Sequence, residues 1–127
     1  ILNKLFDNLK SKQIDVRKCI LKMNMIYGLK NDPKETGRMT MSLIRDVIPK
    51  EIGGIVFLSG GQSSEQTTEN LESIMQHNRQ EYPISFSFGR ALQDPALKAW
   101  SGSEEKVELA REKLKEQLRN NCEALEF

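Results

Sequence analysis

The sequence predicts an α/β fold, and three observations carry that prediction. Stretches of helical periodicity alternate with short β-branched and aromatic runs in the order helix, strand, helix, strand, helix, strand, helix, helix. Alternation of this kind argues for parallel strands joined by crossover helices. Strand ends fall near Lys22, Ser59 and Gly89, 37 and 30 residues apart, and each interval holds one strand-helix-strand repeat. The 127 residues, 38% hydrophobic and 29% charged, suit one domain, and no apolar run approaches the ~20 residues that span a bilayer.

The elements follow in order. Ile1, Leu2, Leu5, Phe6 and Leu9 recur on one helical face, and the polar break Ser11-Lys12-Gln13 ends it. The apolar-rich stretch from Ile14 to Ile26 is short enough for a buried strand and its exit loop. After the loop-like YGLKNDPKETG, a helix is expected from about Thr36 through Met39, Met41, Leu43, Ile44 and Ile48, stopped by Pro49. Gly53 to Leu58 forms the second strand; SGGQSS ends in a serine suited to cap a polar helix through Leu71, Ile74 and Met75. Tyr82-Pro83 introduces a third strand, ISFSF, by its strict alternation. The clearest start of the next helix is Asp94-Pro95, an N-cap followed by proline at the first position. Gly102-Ser103 breaks it before a long final helix, on which Val107, Ala110, Leu114, Leu118, Cys122 and Leu125 form one apolar stripe.

Three strands with a leading helix amount to a little under half of a (β/α)8 barrel, which takes about 250 residues. A small open three-layer sheet is the alternative. The chain opens on Ile1 in mid-helix pattern rather than on Met, so a fragment or processed product is expected. An isolated half-barrel would leave two unpaired strand edges and an exposed apolar face.

Nineteen Lys and Arg against eighteen Asp and Glu leave a net charge of +1, so no global field gathers nucleic acid or anionic lipid. The final helix interleaves Glu104, Glu105, Glu108, Glu112 and Glu116 with Lys106, Arg111, Lys113 and Lys115, the pattern of a solvated face. Cys19 and Cys122 lie far apart and His77 is the single histidine, which supports neither a metal cluster nor a Ser-His-Asp triad. Without a leader or an apolar span, a cytoplasmic location is the expectation, with no nucleic acid and no membrane as partners.

Three places carry chemistry. Lys22, flanked by apolar residues in CILKMNM, falls at the carboxyl end of a strand, where α/β proteins place reacting groups. Burial there would favour the free amine that attacks a ketone; a lysine snorkelling to solvent from a strand end has the same spacing. Ser59-Gly60-Gly61-Gln62 follows a strand and precedes a helix, so its N–H groups can approach a phosphate at the positive end of the helix dipole. The same residues also serve simply to bend a chain. Gly89-Arg90 is a second such turn, with a guanidinium suited to bidentate phosphate contact. Both turns follow adjacent strands, as barrels bind phosphate in the loops after their last two strands.

ILKMNM, GIVFLSGGQSSEQTTENL and SFSFGRALQDPALKAW, in that order and spacing, resemble successive motifs of class I fructose-bisphosphate aldolase. The resemblance covers essentially the whole chain and implies the carboxyl-terminal part of a (β/α)8 TIM barrel, with residues 1–127 as its last three strands and their helices. Position by position, it implies that Lys22 forms the Schiff base. It assigns Ser59, Gly60 and Gly61 to one phosphate-binding loop, and Ser87, Gly89 and Arg90 to a second substrate and phosphate segment. Met23 stands where the family commonly has Pro and Phe88 where it commonly has Tyr. The family's acid/base carboxylates lie on its first five strands and its flexible tail ends in Tyr; Phe127 stops before that tail.

The implied activity is a glycolytic lyase reaction that cleaves fructose 1,6-bisphosphate to dihydroxyacetone phosphate and glyceraldehyde 3-phosphate. It uses no cofactor and no metal, takes a sugar phosphate substrate, and in the family works as a homo-oligomer, a tetramer. The alternative is a non-catalytic aldolase-like remnant or interaction module that keeps the phosphate turns and binds a partner. On either reading the 127 residues alone are expected to be inactive.

Overall fold

The computed structural model describes residues 1–126, and Phe127, where the chain was expected to stop before a tail, lies outside them. The chain builds α1 (Leu2–Ser11), β1 (Ile20–Asn24), α2 (Pro33–Val47), β2 (Gly54–Leu58), α3 (Ser64–Asn78), β3 (Ile84–Phe86), α4 (Arg90–Trp100) and α5 (Val107–Ala124). Short 3-10 turns at Val16–Lys18 and Glu104–Lys106 precede β1 and α5. The three strands form a parallel sheet in the order β1-β2-β3, so the predicted α/β class holds.

One face of the sheet is covered. Met23, Met25, Ile55 and Phe57 are buried on it, against Met41 and Ile44 of α2 and Leu71 and Ile74 of α3, in a single core. The two helices pack closely because α2 carries Gly37 at their contact: a Cβ there would lie 2.6 Å from the Ser73 carbonyl oxygen. The opposite face is open. Ile20 is 71% exposed, Lys22, Asn24, Ser85 and Ser87 are exposed, and Val56 and Leu58 are half-buried.

Several boundaries depart from the expectations. The strand expected within Ile14–Ile26 is confined to Ile20–Asn24, because Asp15 accepts from the Arg17 amide at 3.1 Å and caps a helical turn first. The helix expected from about Thr36 begins at Pro33, since the Asp32 carboxylate accepts from the Lys34 amide and Pro33 occupies the first position. The third strand is Ile84–Phe86 rather than the full ISFSF, with pairing carried one residue further by the Ser87 amide donating to the Phe57 carbonyl at 2.9 Å.

The start expected at Asp94-Pro95 is wrong: α4 begins at Arg90, after the cap Gly89, and Pro95 lies inside the helix. Proline in a helix interior removes the bond its amide would make to the carbonyl four residues back, here that of Ala91. That buried carbonyl accepts from the Ser64 hydroxyl instead, at 2.5 Å. The stripe expected on α5 holds only in part. Val107, Ala110 and Leu114 line a groove against α4, whereas Leu118 and Cys122 are exposed and Asn121 and Ala124 are buried. The face turns because the far end of α5 packs on α3, where the Thr68 hydroxyl donates to the Asn121 side-chain oxygen at 3.1 Å.

Candidate functional site

The parallel register aligns Lys22 with Val56 and Ser85, and Asn24 with Leu58. Side chains along a strand alternate between faces, so Lys22 and Asn24 point to the open face while Leu21 and Met23 point toward the helices. The apolar residues flanking Lys22 therefore do not enclose it. Lys22 is exposed, and the burial read from its neighbours is not supplied by this chain. On the open face the Lys22 ammonium donates to the Ser87 hydroxyl, with Nζ 3.2 Å from Oγ. Two residues remote in sequence thus meet.

At the same rim, the carboxyl ends of the strands, β2 runs into the turn beginning at Ser59. Gly60 and Gly61 have φ of +58° and +83°, left-handed backbone that a side chain would strain, and the Gln62 amide closes the turn onto the Ser59 carbonyl at 3.1 Å. The Ser63 hydroxyl then caps α3 by accepting from the Gln66 amide at 3.2 Å. Below the turn lies a support that the sequence reading missed. The side-chain amide of Asn70, fully buried in α3, donates to the Gln62 side-chain oxygen, and the Gln62 side-chain Nε2 donates a second bond to the Ser59 carbonyl at 3.0 Å. Asn70 lies two helical turns beyond the cap Ser63, a spacing that by itself signals nothing in the sequence.

The second turn, Gly89-Arg90, starts α4 with both residues exposed, and a Cβ on Gly89 would meet nothing within 4 Å. The two helix amino termini are tied by the Ser64 hydroxyl bonded to the Ala91 carbonyl, so the turns after β2 and β3 are held as neighbours. Met23 and Phe88, the two departures from the family pattern, are buried rather than on the open face, and Phe88 stacks on Phe86 with ring centroids 5.2 Å apart. The ion pair of Arg45 with Glu81, 2.7 Å, sits at the other end of the strands, where the guanidinium holds the Glu81 carboxyl below its usual range. Among the described residues no His, Cys, Asp and Glu cluster could hold a metal ion, and no helix is long and apolar enough to cross a membrane.

What the rim offers chemically is a primary amine beside a hydroxyl, next to two helix-initiating turns whose amides and one guanidinium can meet anionic oxygens. Comparison with known proteins points the same way. The family model for class I fructose-bisphosphate aldolase matches residues 1–126. The cytoplasmic isozyme of fructose-bisphosphate aldolase from Cicer arietinum is 41% identical over 110 residues, 83% of this chain and 31% of that protein. Fructose-bisphosphate aldolase from Lymnaea stagnalis is 42% identical over 92 residues, 68% of this chain and 91% of that sequence. The aldolase of Plasmodium falciparum, solved with TRAP and a small molecule inhibitor, superimposes with a TM-score of 0.92 at 34% identity, over 98% of this chain and 37% of that one. The chain spans about a third of the Cicer and Plasmodium proteins.

Proposed function

The chain belongs to the class I fructose-bisphosphate aldolase family, and we propose that it supplies the imine-forming lysine and the phosphate turns of an enzyme that cleaves fructose 1,6-bisphosphate. The single observation that carries this reading is the placement of Lys22. Lys22 lies mid-strand in β1 rather than at its end, and its amine meets Ser87, just past the end of β3, on the open sheet face whose rim bears the Ser59–Gly61 and Gly89-Arg90 turns. In this reading residues 1–127 are the last three strands of a (β/α)8 barrel, and five preceding strands close the open face and enclose Lys22.

Lys22 attacks the C2 ketone of the open-chain sugar, the carbinolamine loses water, and the protonated imine draws the electron pair released as the C3–C4 bond breaks; the resulting enamine takes a proton at C3, and water hydrolyses the imine to free dihydroxyacetone phosphate and the amine. Ser59, Gly60 and Gly61 with Arg90 grip phosphate, Gly89 leaves room for its approach, and Ser87 orients the amine. The proton of the C4 hydroxyl must go to a base. The open face, built from Ile20, Lys22, Asn24, Gly54, Val56, Leu58, Ser85 and Ser87, carries no carboxylate, so the base belongs to the strands that close the barrel. Relatives named as cytoplasmic and cytosolic isozymes support a cytoplasmic setting.

That lack of a carboxylate is also what a non-catalytic binding module would have. Lys22→Arg in the completed barrel separates the two, because arginine keeps the charge but cannot form the imine. Turnover should fall to background while fructose 1,6-bisphosphate still binds within a fewfold of the parent affinity. Unchanged turnover would remove Lys22 from the mechanism, and absence of turnover in the parent barrel would favour the binding module.

A further inference from the structure

The loop leaving β1 sets against the glycine turn one polar group that the scheme above leaves unused, the phenol hydroxyl of Tyr27. A Cβ on Gly60 would lie 3.6 Å from the Tyr27 hydroxyl oxygen and 3.0 Å from Asn24 Oδ1. The end of β1 therefore crosses over the turn that follows β2. Tyr27 is 39% exposed, so its hydroxyl stands at the rim rather than in the core, and among the described residues it makes no side-chain hydrogen bond.

Its position is built. The residue before it, Ile26, is clamped to α2 through Thr40, which is fully buried: the Thr40 hydroxyl accepts from the Ile26 amide at 2.9 Å and donates to the Ile26 carbonyl at 3.3 Å. Both backbone groups of Ile26 are thereby fixed, and the chain direction that carries the phenol to Gly60 follows. A phenol hydroxyl is an uncharged donor, so it adds a hydrogen bond to a dianion without competing for the Arg90 charge.

We infer that Tyr27 donates a hydrogen bond to the phosphate seated on the Ser59–Gly61 turn and is a specificity-determining residue for phosphorylated substrates. This rests on the assignment of that turn to phosphate. Three chain segments then meet on one anion: the exit of β1 through Tyr27, the turn after β2 through its amides, and the start of α4 through Arg90. The lysine and the phenol are only five residues apart, so the strand that carries the nucleophile also contributes to the grip that places the ketone over it.

Titration of dihydroxyacetone phosphate into the completed barrel carrying Lys22→Arg isolates the non-covalent grip, because no imine forms. Adding Tyr27→Phe, which removes one oxygen at an exposed site, should raise the Kd roughly tenfold, the effect of one hydrogen bond to a charged group. Thermal unfolding without ligand should be unchanged. An unchanged Kd overturns the inference while leaving the phosphate turn intact. A lowered unfolding temperature without ligand makes the hydroxyl structural and overturns it too. Failure of the Lys22→Arg barrel to bind dihydroxyacetone phosphate at all would refute the phosphate turn itself, and the role of Tyr27 with it.

Discussion

Lys22 owes its place to the two-residue period of a strand. Its neighbours Leu21 and Met23 face the helices, and the ammonium is left on the open face, where it meets Ser87. An apolar flank in the sequence announced a strand correctly but could not say which face the lysine took, and the flanking side chains are not what would enclose it. Arg90 was legible as the residue after a glycine at a strand end, and Gln62 as part of the glycine turn; the tie from Asn70 to Gln62 was not, because a side-chain relay from a helix interior to a turn leaves no spacing of its own. Tyr27 was hidden in a loop whose path is decided by Thr40, fourteen residues from Ile26 along the chain. If Arg90 grips phosphate, Arg90→Ala removes a charge-assisted contact of about 1.5–3 kcal/mol. The kcat/KM for fructose 1,6-bisphosphate should then fall roughly ten- to a hundredfold. Steady-state kinetics on a ketose lacking the phosphate held by Arg90 should show no such fall, and an equal loss on both would make the residue structural.

The same dipeptide, Asp-Pro, occurs at 32–33 and at 94–95 with opposite meanings. Asp32 caps α2 and Pro33 opens it, whereas Asp94-Pro95 lies within α4. The sequence reading took the second pair for a helix start and passed over the first. The difference is tertiary: the carbonyl that Pro95 frees, on Ala91, has the Ser64 hydroxyl as a partner from the neighbouring helix. An interior proline is thus tolerated, and the freed acceptor becomes the tie between the two turns. The element pattern of strands and crossover helices was readable from periodicity alone, but this cross-link depends on a contact between residues 27 positions apart. Ser64→Ala should destabilise the completed barrel in urea unfolding by about 1–2 kcal/mol, because a buried acceptor loses its donor. In a Pro95→Ala background the residue 95 amide can satisfy the same carbonyl, and the cost of Ser64→Ala should shrink below about 0.5 kcal/mol. Equal costs in the two backgrounds would show that the proline and the serine act independently.

For the whole molecule, the sheet is half-dressed. The helices cover one face, while the other exposes Ile20 and half-exposes Val56 and Leu58, and β1 and β3 each pair on one side only. Unpaired parallel edges and an apolar face are a template for association. By the proposed reading, five strands cover that face, desolvate Lys22 and bring the base. That the strands number three, against the eight of a barrel, could be counted in the sequence; that the vacant side of the sheet is the side bearing the lysine could not, since it depends on the register of Lys22 with Val56 and Ser85. The most direct measurement is borohydride reduction in the presence of dihydroxyacetone phosphate, followed by peptide mass analysis. It is made on the 127 residues alone and on the barrel completed with the remaining strands. A triose phosphate adduct is expected on the peptide containing Lys22 in the completed barrel, with little or none in the isolated chain. An adduct on another lysine with Lys22 unmodified, or aldolase turnover by the isolated chain, would contradict the proposed reading.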